Sequence, residues 1–103
     1  MNRMIIELDE QKIKTQGKYD INKLWEEINK PFIEKKMSIK KEGPQTIYFN
    51  PFDDLSTQEF GYAYMSLMTK KWLVEVCLKW LWIEDNNEVG DCLADLKEEV
   101  GVI

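Results

Sequence analysis

The side chains that most often carry out chemistry in proteins are scarce in this sequence. Histidine is absent from its 103 residues, so the commonest general base and the commonest metal ligand are both missing. Catalytic triads that pair Ser or Cys with His are therefore excluded. The two cysteines, Cys77 and Cys92, do not complete a tetrahedral zinc site without carboxylates or a second chain. We expect Cys77 to be a buried, inert thiol.

Carboxylates are the remaining candidates for acid–base or metal chemistry. Asp53 with Asp54, and the segment from Asp91 to Asp95, lack the ligand spacing of a calcium loop. The five glycines are too scattered to form a phosphate-binding loop. An enzyme with a pair of carboxylates stays as an alternative, although any two acidic residues would satisfy that pattern. The sequence predicts a protein that is not an enzyme and uses no metal or cofactor.

Composition and charge indicate one folded domain, residues 1–103, with an acidic C-terminal half. Hydrophobic residues make up 44% of the chain and aromatic residues 12%, which is enough for one core. The net charge is −5, and the acidic excess follows residue 53. Such a surface disfavours direct nucleic acid binding and suits a basic protein partner. Neither a signal peptide nor a membrane-spanning run is visible, so a cytoplasmic protein with reduced thiols is predicted.

The first third of the chain predicts a strand followed by a helix. Residues 4–8 form a short apolar run with β-branched residues, which is typical of a strand. Residues 11–18 are polar and predict a loop or a frayed strand. Asp20 is suited to cap a helix, and the apolar spacing that follows predicts a helix over about 20–35. Pro31 is expected to bend that helix.

The middle of the chain predicts a hairpin and a second helix. Gly43 and Pro44 mark a turn between two β-prone segments, residues 37–40 and 46–50. A helix over about 57–68 follows, and a third is expected over 91–99. The sequence features behind these two helices are a capping box formed by Ser56 and Glu59 and an inward-facing pair, Leu93 and Leu96.

Residues 70–84 are ambiguous between a strand and a helix. Apolar residues alternate as in a strand, but the opposite strand face would mix charged and aliphatic side chains. Helical spacing instead collects one broad apolar face that includes Trp80, and it makes Glu75 and Lys79 a favourable ion pair four residues apart. A helix is therefore predicted. In that helix, Leu78 and Trp82 fall within the charged stripe.

The position of Trp82 leaves two interpretations open. Either the chain buries it, under the C-terminal helix or within a fully buried helix, or it is an exposed anchor for a partner. The acidic region 84–99 similarly forms either a solvated face or a docking site for a basic surface. The partner-binding residues that the docking interpretation predicts are Leu78, Trp82, Glu84, Asp85, Glu88, Asp91 and Asp95.

The chain resembles small acidic accessory and inhibitor proteins of Gram-positive phages and mobile elements, a group that includes anti-CRISPR proteins. The resemblance lies in the opening MNRMIIELDE, the segment GKYDINKLWEEI, and KWLW followed by acidic residues. It implies an inhibitor of a nucleic-acid-handling complex, and it assigns no residue a role.

The sequence thus predicts an α+β fold, a small antiparallel sheet made of the N-terminal strand plus a hairpin and packed by three to four helices. The predicted function is a non-enzymatic protein-binding module. The main alternative is a self-associating protein, in which Leu78 and Trp82 form the seam of a homodimer.

Overall fold

A computed structural model of the chain describes residues 2–52, 57–85 and 87–101. It confirms the α+β class, with one antiparallel sheet and helices packed against it. The elements in chain order are β1 (Arg3–Leu8), α1 (Glu10–Gln16), α2 (Ile21–Glu34), β2 (Ser38–Glu42), β3 (Gln45–Phe49), α3 (Gln58–Met68), α4 (Leu73–Val76), β4 (Cys77–Glu84), β5 (Asn87–Asp91) and α5 (Cys92–Val100).

The sheet has five strands in the order β2-β3-β1-β4-β5, and every neighbouring pair is antiparallel. The N-terminal strand is therefore central. Met4 of β1 pairs with Tyr48 on one side and with Trp82 on the other. The predicted strand at 4–8 and the predicted hairpin are both confirmed as β1 and β2–β3.

One face of the sheet is covered by the helices and forms the main core. Met4 and Ile6 of β1 point into this core and are almost fully buried. Phe32 of α2 stacks on Tyr48 of β3 with ring centroids 3.8 Å apart. The Tyr48 hydroxyl donates a hydrogen bond of 2.5 Å to Asn29 Oδ1, so this buried polar group is satisfied.

The prediction of a helix over 70–84 is wrong for most of that segment. Only Leu73–Val76 is helical, and Cys77–Glu84 is strand β4. The alternation of aromatic and aliphatic residues was the better signal, because it places Trp80 and Trp82 on one face. The mixed character of the other face has a simple cause, since no described helix packs on that side of the sheet.

The expected ion pair between Glu75 and Lys79 is also absent from the fold. Glu75 lies at the end of α4, and its carboxylate accepts from Lys18 Nζ at 3.1 Å and from the Tyr19 hydroxyl at 2.6 Å. These hydrogen bonds, Tyr19 first, lower the pKa of Glu75. The backbone carbonyl of Glu75 accepts from Lys12 Nζ at 2.8 Å. Glu75 therefore ties α4 to helix α1 and to the connection between α1 and α2.

Two further elements differ from the prediction. The segment 11–18, expected as a loop or strand, contains helix α1, because Asp9 caps it by accepting from Lys12 N at 3.1 Å and Ile13 anchors it in the core. The polar segment 87–91 forms β5, which the sequence did not predict, since edge strands need only one partner and carry few apolar residues.

The other three predicted helices are confirmed as α2, α3 and α5. Asp20 caps α2 by accepting from Asn22 N at 2.9 Å, and α2 continues past Pro31 to Glu34. Helix α3 begins at Gln58, whereas Ser56 of the predicted capping box lies outside the described residues. The predicted C-terminal helix is α5, which is capped by Asp91, and both Leu93 and Leu96 are buried.

Two glycines provide a matched test of local backbone conformation. Gly17 ends α1 at φ +63°, whereas Gly61 lies inside α3, and a Cβ would meet no atom within 4 Å at either position. Gly17→Ala is expected to lower the free energy of unfolding by about 1 kcal/mol, because a Cβ is strained at positive φ. Gly61→Ala is expected to raise it by about 0.5–1 kcal/mol. Urea denaturation of both variants checks the opposite signs, and equal shifts would contradict the assignment.

Candidate functional site

Leu78 lies at an irregularity in the pairing of β4 with the central strand. Glu7 pairs with Lys79 and Leu8 pairs with Cys77, so Leu78 is an extra residue without a partner across the strand pair. Such a bulge changes the direction of a side chain. The Leu78 side chain is 55% exposed. Of the two predicted apolar anchors, Leu78 is therefore the accessible one.

Trp82 is not an exposed anchor, and this corrects the docking interpretation of the sequence. Its ring is partly buried and packs on Phe60 and Tyr64 of α3, with both centroid distances 6.1 Å. The cover comes from α3 and not from the C-terminal helix, because β4 turns Trp82 toward the same side as Trp80. The buried Trp82 Nε1 has no hydrogen-bond partner, whereas Trp80 Nε1 contacts Sδ of Met4 at 3.1 Å.

The separation of Leu78 and Trp82 also removes the predicted homodimer seam. Trp82 lies beneath α3, while Leu78 borders a groove together with Lys79 and Leu81. The two side chains therefore do not form a single surface.

The predicted acidic residues surround the β4–β5 end of the sheet. Asp85 occupies the turn at φ +49°, and its amide donates to Asn2 Oδ1 at 3.3 Å. Glu84 is half-buried, and Glu88 is exposed on β5. Asp91 is also exposed, and its carboxylate accepts from Ala94 N as the cap of α5. These carboxylates are therefore held on ordered backbone at one edge of the molecule.

Asp95 differs from the other acidic residues because it has a side-chain partner. Its carboxylate accepts a hydrogen bond of 3.0 Å from the Tyr64 hydroxyl. Burial, and secondly this hydrogen bond, raise the pKa of Tyr64 to about 12. Asp95 thus anchors α5 to α3, and a structural role accounts for its position.

A groove at this edge brings part of the predicted site together with residues that the sequence did not indicate. We call it the β5–α5 groove. Three predicted site residues, Leu78, Glu88 and Asp91, line it. The other lining residues are Lys79, Leu81, Leu93, Ala94 and Lys97. Apolar side chains, two carboxylates and two lysines therefore border the same depression, which is suited to an extended segment that carries both apolar and charged side chains.

The two thiols are not arranged for chemistry. Cys77 and Cys92 are both buried, and burial raises the pKa of each to about 12. A thiol that stays protonated is a poor nucleophile and a poor metal ligand. Within the described ranges, no three His, Cys, Asp or Glu side chains come together as a metal site would require. Across the same ranges, every helix is too short or too polar to cross a membrane.

The sheet face that the helices do not cover carries an apolar centre that sequence analysis missed. We call it the open face. Ile5 and Ile83 are each only 8% exposed, yet neither belongs to the main core cluster. The strand pairing places Ile47, Phe49 and Leu81 beside them. The charged side chains that border this apolar centre on the open face are Arg3, Glu7, Lys40, Glu42, Lys79, Glu88 and Asp91.

A signal for the open face was present in the sequence. Ile47 and Phe49 flank the core residue Tyr48, so a strand there has apolar side chains on both faces. The helix predicted for 70–84 hid this continuity, because residues two apart, such as Leu81 and Ile83, share a face in a strand and not in a helix. Comparisons with protein-family models, with curated proteins and with solved structures find no match. Function is therefore inferred from the geometry of this chain.

Proposed function

We propose that this protein is a non-enzymatic binding module that docks a basic segment of a partner protein at the β5–α5 groove. The observation that carries the proposal is the groove itself, where exposed Leu78 and the carboxylates Glu88 and Asp91 line the same depression. Carboxylates at such an edge attract a basic partner and speed association, while a desolvated apolar contact supplies most of the affinity.

The surroundings of the groove support an acidic docking site. Between residues 84 and 99 there are seven acidic side chains and one lysine. Six of the acidic side chains, those at positions 85, 88, 91, 95, 98 and 99, are exposed without an ion pair among the described contacts. The structure also leaves β5 as an edge strand. An extended partner segment has backbone groups to pair with there, as in β-strand addition.

The kind of partner follows from the charge. A Lys- and Arg-rich surface is typical of proteins that hold nucleic acid, so a module of this type is suited to occupy such a surface in the cytoplasm and to inhibit a nucleic-acid-handling complex. This part of the proposal agrees with the resemblance to anti-CRISPR-like inhibitors. It depends on the groove binding a basic protein segment in the first place.

The groove is tested with a defined probe, a fluorescent peptide of alternating Lys and Val, titrated onto the protein and followed by anisotropy. Glu88→Lys and Leu78→Ser are each expected to weaken binding at least fivefold, because one removes an attractive charge and the other the exposed apolar contact. The matched control is Glu26→Lys, the same charge reversal on the exposed outer face of α2, which is expected to change binding less than twofold.

Two outcomes would contradict the proposal. One is equal weakening by Glu26→Lys and Glu88→Lys, which would indicate attraction by net charge alone. The other is equal affinity for a peptide of alternating Glu and Val. The labelled peptide is held at nanomolar concentration. A parallel series uses protein that carries Ile47→Lys, a change on the open face and outside the groove, so self-association of the chain does not enter the measurement.

A further inference from the structure

We propose that a second copy of this chain docks on the open face, so that two sheets pack face to face in a homodimer. The open face of an antiparallel sheet is normally polar when it faces water. Here its central row is apolar, with Ile5 on the middle strand between Ile47 and Leu81. Phe49 and Ile83 extend the apolar area on the adjoining row. Ile5 and Ile83 are already buried, and a cover of matching shape removes the half-buried side chains of Ile47, Phe49 and Leu81 from water.

The occupant is inferred from the charge pattern across the central row. From one edge to the other, the register aligns Lys40, Ile47, Ile5, Leu81 and Asp91. The row is therefore basic at the β2 edge, apolar in the middle and acidic at the β5 edge. A surface with this pattern is complementary to a second copy of itself that is rotated so that the β2 edge and the β5 edge exchange places.

The symmetry that satisfies this pattern is a two-fold axis parallel to the strands and passing between the two copies at Ile5. This rotation exchanges β2 with β5, so Lys40 of one copy faces Asp91 of the other. It also places Ile47 against Leu81, and Ile5 against its own counterpart. An isologous interface of this type closes after two copies.

The adjoining row extends the same match. Phe49 and Ile83 occupy the positions on either side of the central strand, and the rotation places each against the other. Glu88 lies at the acidic edge of this row, two paired positions along the strand from Asp91, within reach of the long Lys40 side chain of the second copy. In both rows, the apolar side chains beside the central strand thus face apolar side chains of the second copy.

Two features limit the affinity. Arg3 and Glu7, at the ends of the central strand, each approach their own counterpart, although Lys79 neighbours Glu7 across the strand pair. Lys40 also forms an ion pair with Glu42 of its own chain, with 3.7 Å between the charged atoms. This ion pair is exposed and therefore weak.

Five strands about 4.8 Å apart and about five residues long give a footprint of roughly 400 Å² per copy. Since a stable complex buries about 800 Å² per partner, we expect a dimer that dissociates on dilution.

The apolar contact is tested by sedimentation velocity of the full chain over micromolar to millimolar concentrations. The wild type is expected to shift from monomer to dimer across that range. Leu81→Lys is expected to weaken the dimer at least tenfold, with unchanged circular dichroism. The matched control is Met65→Lys, at an apolar side chain of α3 that is 67% exposed on the opposite side of the molecule, and it is expected to leave the dimer intact.

The charge pairing is tested by exchanging charges between the two edges of the open face. Recovery in the double variant also excludes misfolding as the cause of a weaker dimer. Lys40→Glu is expected to weaken the dimer threefold or more, because it faces Asp91 of the other copy. Adding Glu88→Lys is expected to recover part of this loss, whereas Asp91 keeps the double variant weaker than the wild type. Glu88→Lys leaves the helix cap at Asp91 in place. A wild type that stays monomeric at millimolar concentration would overturn the proposal. So would a dimer that survives Leu81→Lys, or a double variant that dimerises no more tightly than Lys40→Glu alone.

Discussion

Trp80→Ala is expected to lower the free energy of unfolding by about 3–5 kcal/mol, the range for truncating a large buried aromatic side chain. Trp80 is fully buried, is among the largest side chains in the core, and packs on Tyr64 with ring centroids 5.8 Å apart. Domains of this size are stable by only about 5–15 kcal/mol. Urea denaturation followed by circular dichroism should therefore show a large decrease in the midpoint.

The neighbouring tryptophan provides the control for this result. Trp82→Phe keeps an aromatic ring against Phe60 and Tyr64 and removes an Nε1 that has no hydrogen-bond partner. The change in unfolding free energy is expected to stay below about 1.5 kcal/mol. If Trp82→Phe destabilises the protein more than Trp80→Ala does, the assignment of Trp80 to the centre of the core is wrong.

Alkaline pH is expected to destabilise the fold strongly between about pH 9 and pH 12. Burial raises the pKa of Cys77 and of Cys92 from 9.0 to about 12. Below pH 9 both thiols are protonated in the folded and in the unfolded chain, so their contribution to stability is fully present. Above pH 9 the unfolded chain releases protons that the folded chain retains, which favours unfolding.

The size of this effect follows from the same shift. Each pH unit between the two pKa values costs about 1.4 kcal/mol for each thiol, so the two thiols together account for roughly 3–5 kcal/mol by pH 11. Tyr64, whose pKa is also raised, adds to the loss at the upper end. The check is a series of urea denaturation curves from pH 8 to pH 11. A variant with Cys77→Ala and Cys92→Ala is expected to show a shallower decrease, and an equally steep one would contradict the role of the thiols.

The elements that the sequence predicted correctly are those with a local signal. Asp20 and the apolar spacing after it specify α2 without reference to the rest of the chain, and Gly43 with Pro44 specifies the hairpin turn. The segment 70–84 failed because helix and strand both gave it an apolar face. Pairing with β1 decides between helix and strand, and the paired residues of β1 lie about seventy to eighty positions away in the sequence.

The candidate site was predicted only in part for a similar reason. Leu78 and the acidic positions could be selected by type alone, and Leu78, Glu88 and Asp91 do share one groove. The open face could not be selected that way, because its apolar centre is assembled from three strands that are distant in the sequence. Asp95 was selected by charge, but its hydrogen bond to Tyr64 became visible only when α5 was placed beside α3.

The central position of β1 has a consequence for how the protein is made. β1 precedes all the other strands in the chain, yet β3 and β4, its two neighbours in the sheet, are synthesised later. Each hairpin, β2–β3 and β4–β5, can close locally as it leaves the ribosome, whereas β1 has no partner until the first hairpin arrives. Its apolar residues stay uncovered on both faces during that interval, and contacts between distant segments form slowly. During translation, β1 is therefore the segment of this chain on which a nascent-chain chaperone has the longest time to act.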